Sequence, residues 1–453
     1  MKIRVTESQI NSLLLTLLVF LDMNPFFVWP SVSSLGYRAY TGVIVLVTIY
    51  MAYQLLSKKR IVMGGTPELT DRINISLPLF LVSAIVVILF FYEAFCSGVV
   101  TETQQPFNAA MLCIHLGLML FILQDNITLQ AVFLWTKKIF ALSLIPAIIA
   151  FLLIQVGIAP PSTSVSAGEG VVGAWRSYDL FFGTAVMIRQ GGVAFLNRLC
   201  GMFQEPGFVG TMGALFLLGD KLTLKKWENM IILIAGVCSF SLAFVLLLIL
   251  GIVFRLLGRL KTRKGFLMGG ALILAIAVGY FVFMGLSFDE NSMLGELQGR
   301  LEITEEGLAG DNRFGTSEQA MKAYDEFLAS DLTTQLLGYG KDSRTVSGTQ
   351  ISIWMEVHSY KEFVFGFGFL GLGIMLAGLA GGFGVKFNAV PRERKWNLWV
   401  LLIVFLISIY QRYDVTSFCY YCVLFGGGAN LALMPASNDR EKRIILADDG
   451  RTS

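Results

Sequence analysis

Apolar residues run along this chain in long blocks separated by short polar breaks. A helix that crosses a bilayer takes roughly 20 mostly apolar residues. Blocks of that character lie near 10–30, 37–56, 75–95, 108–124, 138–158, 207–219, 229–257, 266–286, 359–382, 397–410 and 416–433. Charges at their edges test the count. Lys58, Lys59 and Arg60 follow the second block, Lys137 and Lys138 precede the fifth, and Lys221, Lys225 and Lys226 follow the sixth. The positive-inside rule puts all of them in the cytoplasm if the N-terminus, with Lys2 and Arg4, is inside. As a single span, 229–257 breaks this alternation. It is long for one helix and would place Arg255, Arg259, Lys261, Arg263 and Lys264 outside. Two short helices turning near Ser239–Ser241 restore the order and put Lys386, Arg392, Arg394 and Lys395 inside as well. The expected fold is an all-α polytopic membrane protein of about 12 transmembrane helices, both termini cytoplasmic.

Composition agrees. Hydrophobic residues make up 55% of the 453 and charged ones only 15%, against about 25% charged in an ordinary soluble domain; mean hydropathy is +0.67. These values exclude a soluble multidomain enzyme and a disordered protein. A net charge of +3 is too small to imply a nucleic-acid partner. The first apolar block reads as an uncleaved anchor, and no repeat recurs at a fixed period.

The chain divides into N-terminal membrane helices (1–158), a first outer-face loop (159–206), central membrane helices (207–286), a large outer-face loop (287–357), C-terminal membrane helices (358–433) and a polar cytoplasmic tail (434–453). Long loops in a compact architecture are usually functional or disordered. The first is aromatic and basic, with Trp175, Arg176, Tyr178, Arg189 and Arg198. It ends at Glu205-Pro206-Gly207, where Pro206 suits the first turn of a helix. The second holds 13 acidic and five basic residues, a net of −8. Thr316–Gln319 has the capping-box pattern, and Ala320, Met321, Tyr324, Phe327 and Leu328 follow at helical spacing. This predicts an amphipathic helix over about 317–329, lying on the membrane surface or capping a cavity, with a turn at Leu337–Gly340. Basic residues on the outer face are mostly arginine, the residue for bidentate recognition of anions.

Three motifs carry a resemblance: Arg198-x-x-Gly201-x-Phe203-x-Glu205-Pro206-Gly207 opening a membrane helix; Asp311-Asn-Arg313 before the outer-loop helix and Leu337-Gly338-Tyr339-Gly340 after it; and His358-Ser-Tyr360-Lys-Glu362 running into the glycines 366, 368, 371 and 373. In these motifs, their order and the expected topology, the chain resembles the Wzy-type O-antigen and capsular polysaccharide polymerases and the related O-antigen ligases over roughly residues 135–430. The resemblance implies a glycosyltransferase of the bacterial cytoplasmic membrane. It would transfer a glycan from undecaprenyl pyrophosphate to a sugar hydroxyl of another lipid-linked repeat unit on the outer face. Ligases transfer to lipid A–core instead and usually show Asn-Pro-Asn where this chain has Glu205-Pro206-Gly207, which favours the polymerase. The implied partners are the undecaprenyl-pyrophosphate-linked oligosaccharide, membrane lipid and a chain-length regulator protein.

Such a reaction releases a lipid pyrophosphate, whose developing charge calls for preorganised positive groups. The sequence has no Asp-x-Asp pair, so the expectation is a metal-independent reaction without a cofactor, with arginines as the cation. Arg198 and Arg313 are the first candidates, followed by Arg176, Arg189 and Arg412; against each stands interfacial anchoring. The acceptor hydroxyl needs a base, for which Glu205 and His358 are candidates, with Tyr360 and Glu362 orienting His358 or the sugar. For Glu205 the rival reading is a helix cap or an ion pair with Arg198, and for His358 a surface histidine. A transporter or flippase of the lipid-linked glycan is the reading from another class. Against it, intramembrane charges are few, and the two halves share no pattern. The glycines at 366–384 read as close helix packing.

Overall fold

The computed structural model describes residues 7–25, 34–57, 120–158, 161–165, 174–180, 183–189, 197–203, 205–258, 278–289, 324–339, 360–410 and 417–434, with short pieces between them. Helices α1 (Glu7–Asp22), α2 (Ser34–Ser57) and α3 (Asn126–Gln155) come first. A sheet of β1 (Ser162–Val165), β2 (Ala174–Leu180), β3 (Gly183–Arg189) and β4 (Asn197–Gly201) follows. Then come α4 (Pro206–Gly219), α5 (Trp227–Cys238), α6 (Leu242–Leu257), the short α7 (Leu332–Leu337), α8 (Tyr360–Lys386), α9 (Arg392–Ser408) and α10 (Phe418–Leu433). The described residues are 80% helical. Among them, α3 and the 363–386 part of α8 are long and apolar enough to cross a membrane, and six shorter helices are predominantly apolar. The expected blocks at 75–95 and 108–124 lie largely outside the described residues, and of 266–286 the second half, from 278, is described as helix up to 285.

The predicted turn is present: α5 ends at Cys238 and α6 starts at Leu242. The helix predicted to open at Pro206 does so. Two expectations are corrected. The first long loop is not irregular: β1 to β4 pair in sequence order as an antiparallel meander, so the fold is mostly helical rather than all-α. Residues 174–189 mix Trp, Tyr, Val and Ile with Thr and Ser, types that suit a pleated surface. In addition, Lys137 and Lys138 do not precede α3 but lie inside it. The helix starts at Asn126, where the Asp125 carboxylate accepts the Thr128 N–H at 2.8 Å as an N-cap.

Lys137 is tolerated there because a counter-charge meets it. Its ammonium, 1% exposed, donates to Asp220 Oδ2 at 2.5 Å and to Asn229 Oδ1 at 2.9 Å. Asp220, fully buried just after α4, also accepts from Lys226 Nζ at 2.7 Å and from Asn229 Nδ2 at 2.9 Å. Asn430 of α10 donates to the Gly219 carbonyl at 3.0 Å and accepts from Gln130 of α3 at 3.1 Å. Four helices thus meet at one carboxylate. Nearby, Arg255 donates to the Leu218 carbonyl at 2.5 Å, Arg394 to Ala432 at 2.6 Å, Trp396 Nε1 to Phe254 at 2.8 Å, and Lys386 to Ile122 at 3.0 Å and to Gln124. These contacts involve the starts of α3, α5 and α9 and the ends of α4, α6, α8 and α10. All lie at one end of the bundle, where they give side-chain partners to carbonyls at or near helix ends.

At the opposite end the Cys419 N–H at the start of α10 donates to Asp22 Oδ2 at the end of α1, 3.1 Å away. The aromatic core between the ends includes Phe140, which stacks on Phe203 and packs on Phe216, with both centroids 5.3 Å away.

Removing one partner of a buried ion pair costs about 3–5 kcal/mol, whereas a half-exposed pair contributes under about 1 kcal/mol. Asp220→Asn should therefore lower the melting temperature in detergent far more than Lys226→Gln, whose ammonium is 39% exposed. Equal shifts would show that the hub does not hold the helices together.

Candidate functional site

Those predicted site residues that are described, Arg176, Arg189, Arg198, Glu205, Tyr360 and Glu362, belong to the end of the bundle that carries Asp22, the sheet and the start of α8. Strand β4 turns down against α3, where Leu199, Cys200 and Phe203 are fully buried. It brings Arg198 over the turn between α5 and α6. There Arg198 Nε–H donates to the Ser239 carbonyl at 3.1 Å, and Nη2–H donates to Phe240 at 3.2 Å. Both carbonyls belong to the end of α5, so the guanidinium caps that helix and sits at its negative pole. The sequence did not predict this capping role, and it fixes where the charge is held. Interfacial snorkelling does not describe it.

Glu205 occupies the N-cap position of α4 with extended backbone, and its side chain makes no cap hydrogen bond. The Phe208 and Val209 N–H groups of the first turn reach the Glu205 carbonyl instead. Arg176 and Arg189 have their backbones in β2 and β3, where Arg189 pairs with Ala174 and Asn197. Arg313, His358 and Arg412 lie outside the described residues, so the expected convergence of Arg198, Glu205, Arg313 and His358 has only its first two members placed. Tyr360 opens α8, and the backbone of Glu362 lies in its first turn.

The helix predicted over 317–329 is described as helix over 324–328. Asp331, at the N-cap of α7, accepts the Thr334 N–H at 3.1 Å and the Thr334 hydroxyl at 2.6 Å. Those hydrogen bonds hold its carboxyl below the usual range. The chain then meets α8 at two glycines. Gly338 and Gly368 both have positive φ, +77° and +69°, and α8 is broken at Gly368. A Cβ on Gly338 would lie 2.6 Å from Gly368 N and 2.7 Å from Gly366 O, while one on Gly368 would strike the Leu336 carbonyl. The Tyr339 N–H donates to the Phe365 carbonyl at 2.6 Å. A helix interrupted in this way releases backbone groups that need new partners, and the 336–339 segment supplies one.

The docking corrects the close-packing reading of the glycine stretch. Gly366, Gly373, Gly381 and Gly384 have open space where a Cβ would stand, Gly371 is crowded by Phe367 of its own helix, and Gly210, Gly236 and Gly251 in α4 to α6 are packed tightly against neighbouring side chains. What the break in α8 gains is an aromatic lobe. Phe327, fully buried, lies 5.1 Å from Phe365 and 5.6 Å from Tyr339 between ring centroids. Tyr324 stacks on Phe327, and the Lys361 ammonium sits 4.2 Å from the Tyr324 ring centre, within cation–π range. Burial, together with the adjacent Tyr360, pushes the Tyr324 hydroxyl up to about 12, so it is a neutral hydrogen-bonding group at physiological pH. Tyr360 stacks on Tyr410 at the end of α9, with centroids 5.6 Å apart.

Sequence reasoning named Tyr324 and Tyr360 separately but missed Tyr339, Phe365 and Tyr410 as their neighbours. The available signal was the glycine pair 338 and 368, since two glycines without Cβ atoms let two backbones cross. No protein-family model, curated protein or solved structure matches the chain.

Gly368→Ala forces a strained φ and a clash with Leu336, and should release the outer segment. Hydrogen exchange of residues 324–339 should then rise at least about tenfold while α3 and α4 keep their protection. Unchanged exchange at 324–339 would mean that the glycine crossing does not hold the lobe.

Proposed function

We propose that this protein is a polysaccharide polymerase, a glycosyltransferase that uses lipid-linked repeat units on the outer face of the bacterial cytoplasmic membrane. The observation that carries the reading is that two of the three resemblance motifs meet. The Leu337–Tyr339 segment sits on the Phe365–Gly368 stretch of α8 through the Tyr339–Phe365 hydrogen bond. The remaining motif supplies Arg198 and Glu205 at the same end of the bundle. In this reading the end gathered around Asp220 faces the cytoplasm, and the sheet and aromatic lobe face outward.

The chemistry follows from the substrate class. A sugar hydroxyl oxygen of the acceptor attacks the anomeric carbon of the donor glycan. A new glycosidic bond forms as the bond to the pyrophosphate oxygen breaks. The hydroxyl proton passes to Glu205 or His358, and the electron pair leaves on undecaprenyl pyrophosphate. The arginines 198, 313, 176, 189 and 412 are the groups to stabilise that charge, and an arginine held rigidly by two carbonyls, as Arg198 is, needs little reorganisation to do so. Tyrosine faces and hydroxyls at 324, 339, 360 and 410 suit the apolar faces and hydroxyls of sugars.

Purified protein given undecaprenyl-pyrophosphate-linked repeat units, without metal or nucleotide sugar, should produce a size ladder on a gel. Arg198→Ala should lower the rate by about two to three decades with normal protein abundance. No ladder from folded protein would overturn the polymerase reading in favour of transfer to lipid A–core or transport. Loss of abundance together with activity would assign Arg198 to the capping of α5 alone.

A further inference from the structure

At the end of the bundle away from the aromatic lobe, residues of α8 and α9 line an open groove of about 80 Å³. Phe383, Phe387 and Leu398 line it together with Asn388, Lys395 and Trp399. Gly384 lies in the wall and leaves open space where a side chain would stand. The surrounding segment 386–395 has four basic residues (Lys386, Arg392, Arg394 and Lys395) and one acidic residue (Glu393), a net of +3. Two of the four are committed, Lys386 to the Ile122 and Gln124 carbonyls and Arg394 to Ala432. The Lys395 ammonium makes no side-chain hydrogen bond or ion pair among the described residues, although it lies in a groove lined mostly by aromatic and aliphatic side chains. Trp396 and Trp399 on the same turn of α9 are 40% and 46% exposed, in the manner of side chains that settle at a membrane–water boundary.

We propose that this groove binds the headgroup of an acidic phospholipid, with its phosphate at Lys395 and the first methylenes of its acyl chains against Phe383, Phe387 and Trp399. Charge complementarity chooses the occupant. A zwitterionic lipid gains nothing from a net positive rim, whereas basic clusters between membrane helices attract anionic headgroups. A soluble anion would leave the apolar walls uncovered. The site lies beyond the glycan chemistry and depends only on the bundle being in a membrane.

The test uses the full-length protein in detergent and native mass spectrometry, with added phosphatidylglycerol or phosphatidylcholine of matched acyl chains. The wild type should retain phosphatidylglycerol in preference. Lys395→Gln should weaken that retention about fivefold, the scale expected of one basic group near an anionic headgroup, and leave phosphatidylcholine unaffected. Gly384→Leu fills the groove without altering charge and should remove the preference too. Lys225→Gln, an exposed lysine at the same end of the bundle, should change nothing. Equal retention of the two lipids by the wild type would overturn the proposal, and so would an unaltered preference in Lys395→Gln with a melting temperature like that of the wild type. A Lys225→Gln effect as large as that of Lys395→Gln would also overturn it, by showing diffuse surface charge in place of a site. No glycan substrate enters this measurement, so its failure and that of the polymerase reading are separable.

Discussion

A carboxylate and an ammonium taken out of water must find each other, and in this protein nearly everything at one end of the bundle is arranged around that demand. Asp220 accepts from Lys137, Lys226 and Asn229, residues drawn from α3, the segment before α5, and α5. Asn430 joins α10 to the same point. A buried pair of this kind is weak evidence for net stability, since apolar residues of equal volume often do as well. Its effect here is positional. An ammonium inside the apolar helix α3 has one place to go, and that fixes the ends of four helices relative to one another. The neighbouring bonds from Arg255, Lys386 and Arg394 to helix-terminal carbonyls extend the same logic, because backbone groups shielded from water need internal partners.

The other end uses backbone in place of charge. Gly338 and Gly368 cross with no Cβ between them, and the Phe365 carbonyl near the break in α8 is taken by Tyr339. One interruption of one helix thus seats an outer segment and assembles Tyr324, Phe327, Tyr339 and Phe365 into a lobe. Arg198 acts similarly on the turn between α5 and α6. The groups proposed for glycan chemistry are therefore held by contacts that make poor use of side-chain bulk and much use of exposed carbonyls.

Much of the helical layout was legible because charge sidedness and apolar length are independent constraints. The excess length of 229–257 and the five basic residues at its end required a turn near 239–241, and the chain turns there. Pro206 marked the start of α4 for a local reason, its fixed φ and absent N–H. The sheet was not legible, since its strands lie in a polar segment whose aromatic and arginine residues drew attention as chemistry and not as strand formers. Lys137 was misplaced because a lysine in a sequence marks a helix boundary unless its counter-charge is known, and Asp220 lies 83 residues away. The glycines of α8 were read as packing because spacing does not distinguish a glycine that touches a neighbour from one that bends the backbone. Of the candidate site, Arg198, Glu205 and Tyr360 are placed at one end of the bundle, and the partners that give Arg198 its orientation were not foreseen.

In the proposed arrangement the two ends of the bundle face opposite sides of a membrane. In a cysteine-free background, Lys225→Cys at the Asp220 end and Leu328→Cys in the aromatic lobe report on the two ends directly, since both positions are exposed. In intact cells, a membrane-impermeant maleimide should label Leu328→Cys at once and Lys225→Cys only after permeabilisation. Equal labelling of the two before permeabilisation, or the reverse pattern, would contradict the opposite orientation of the two ends.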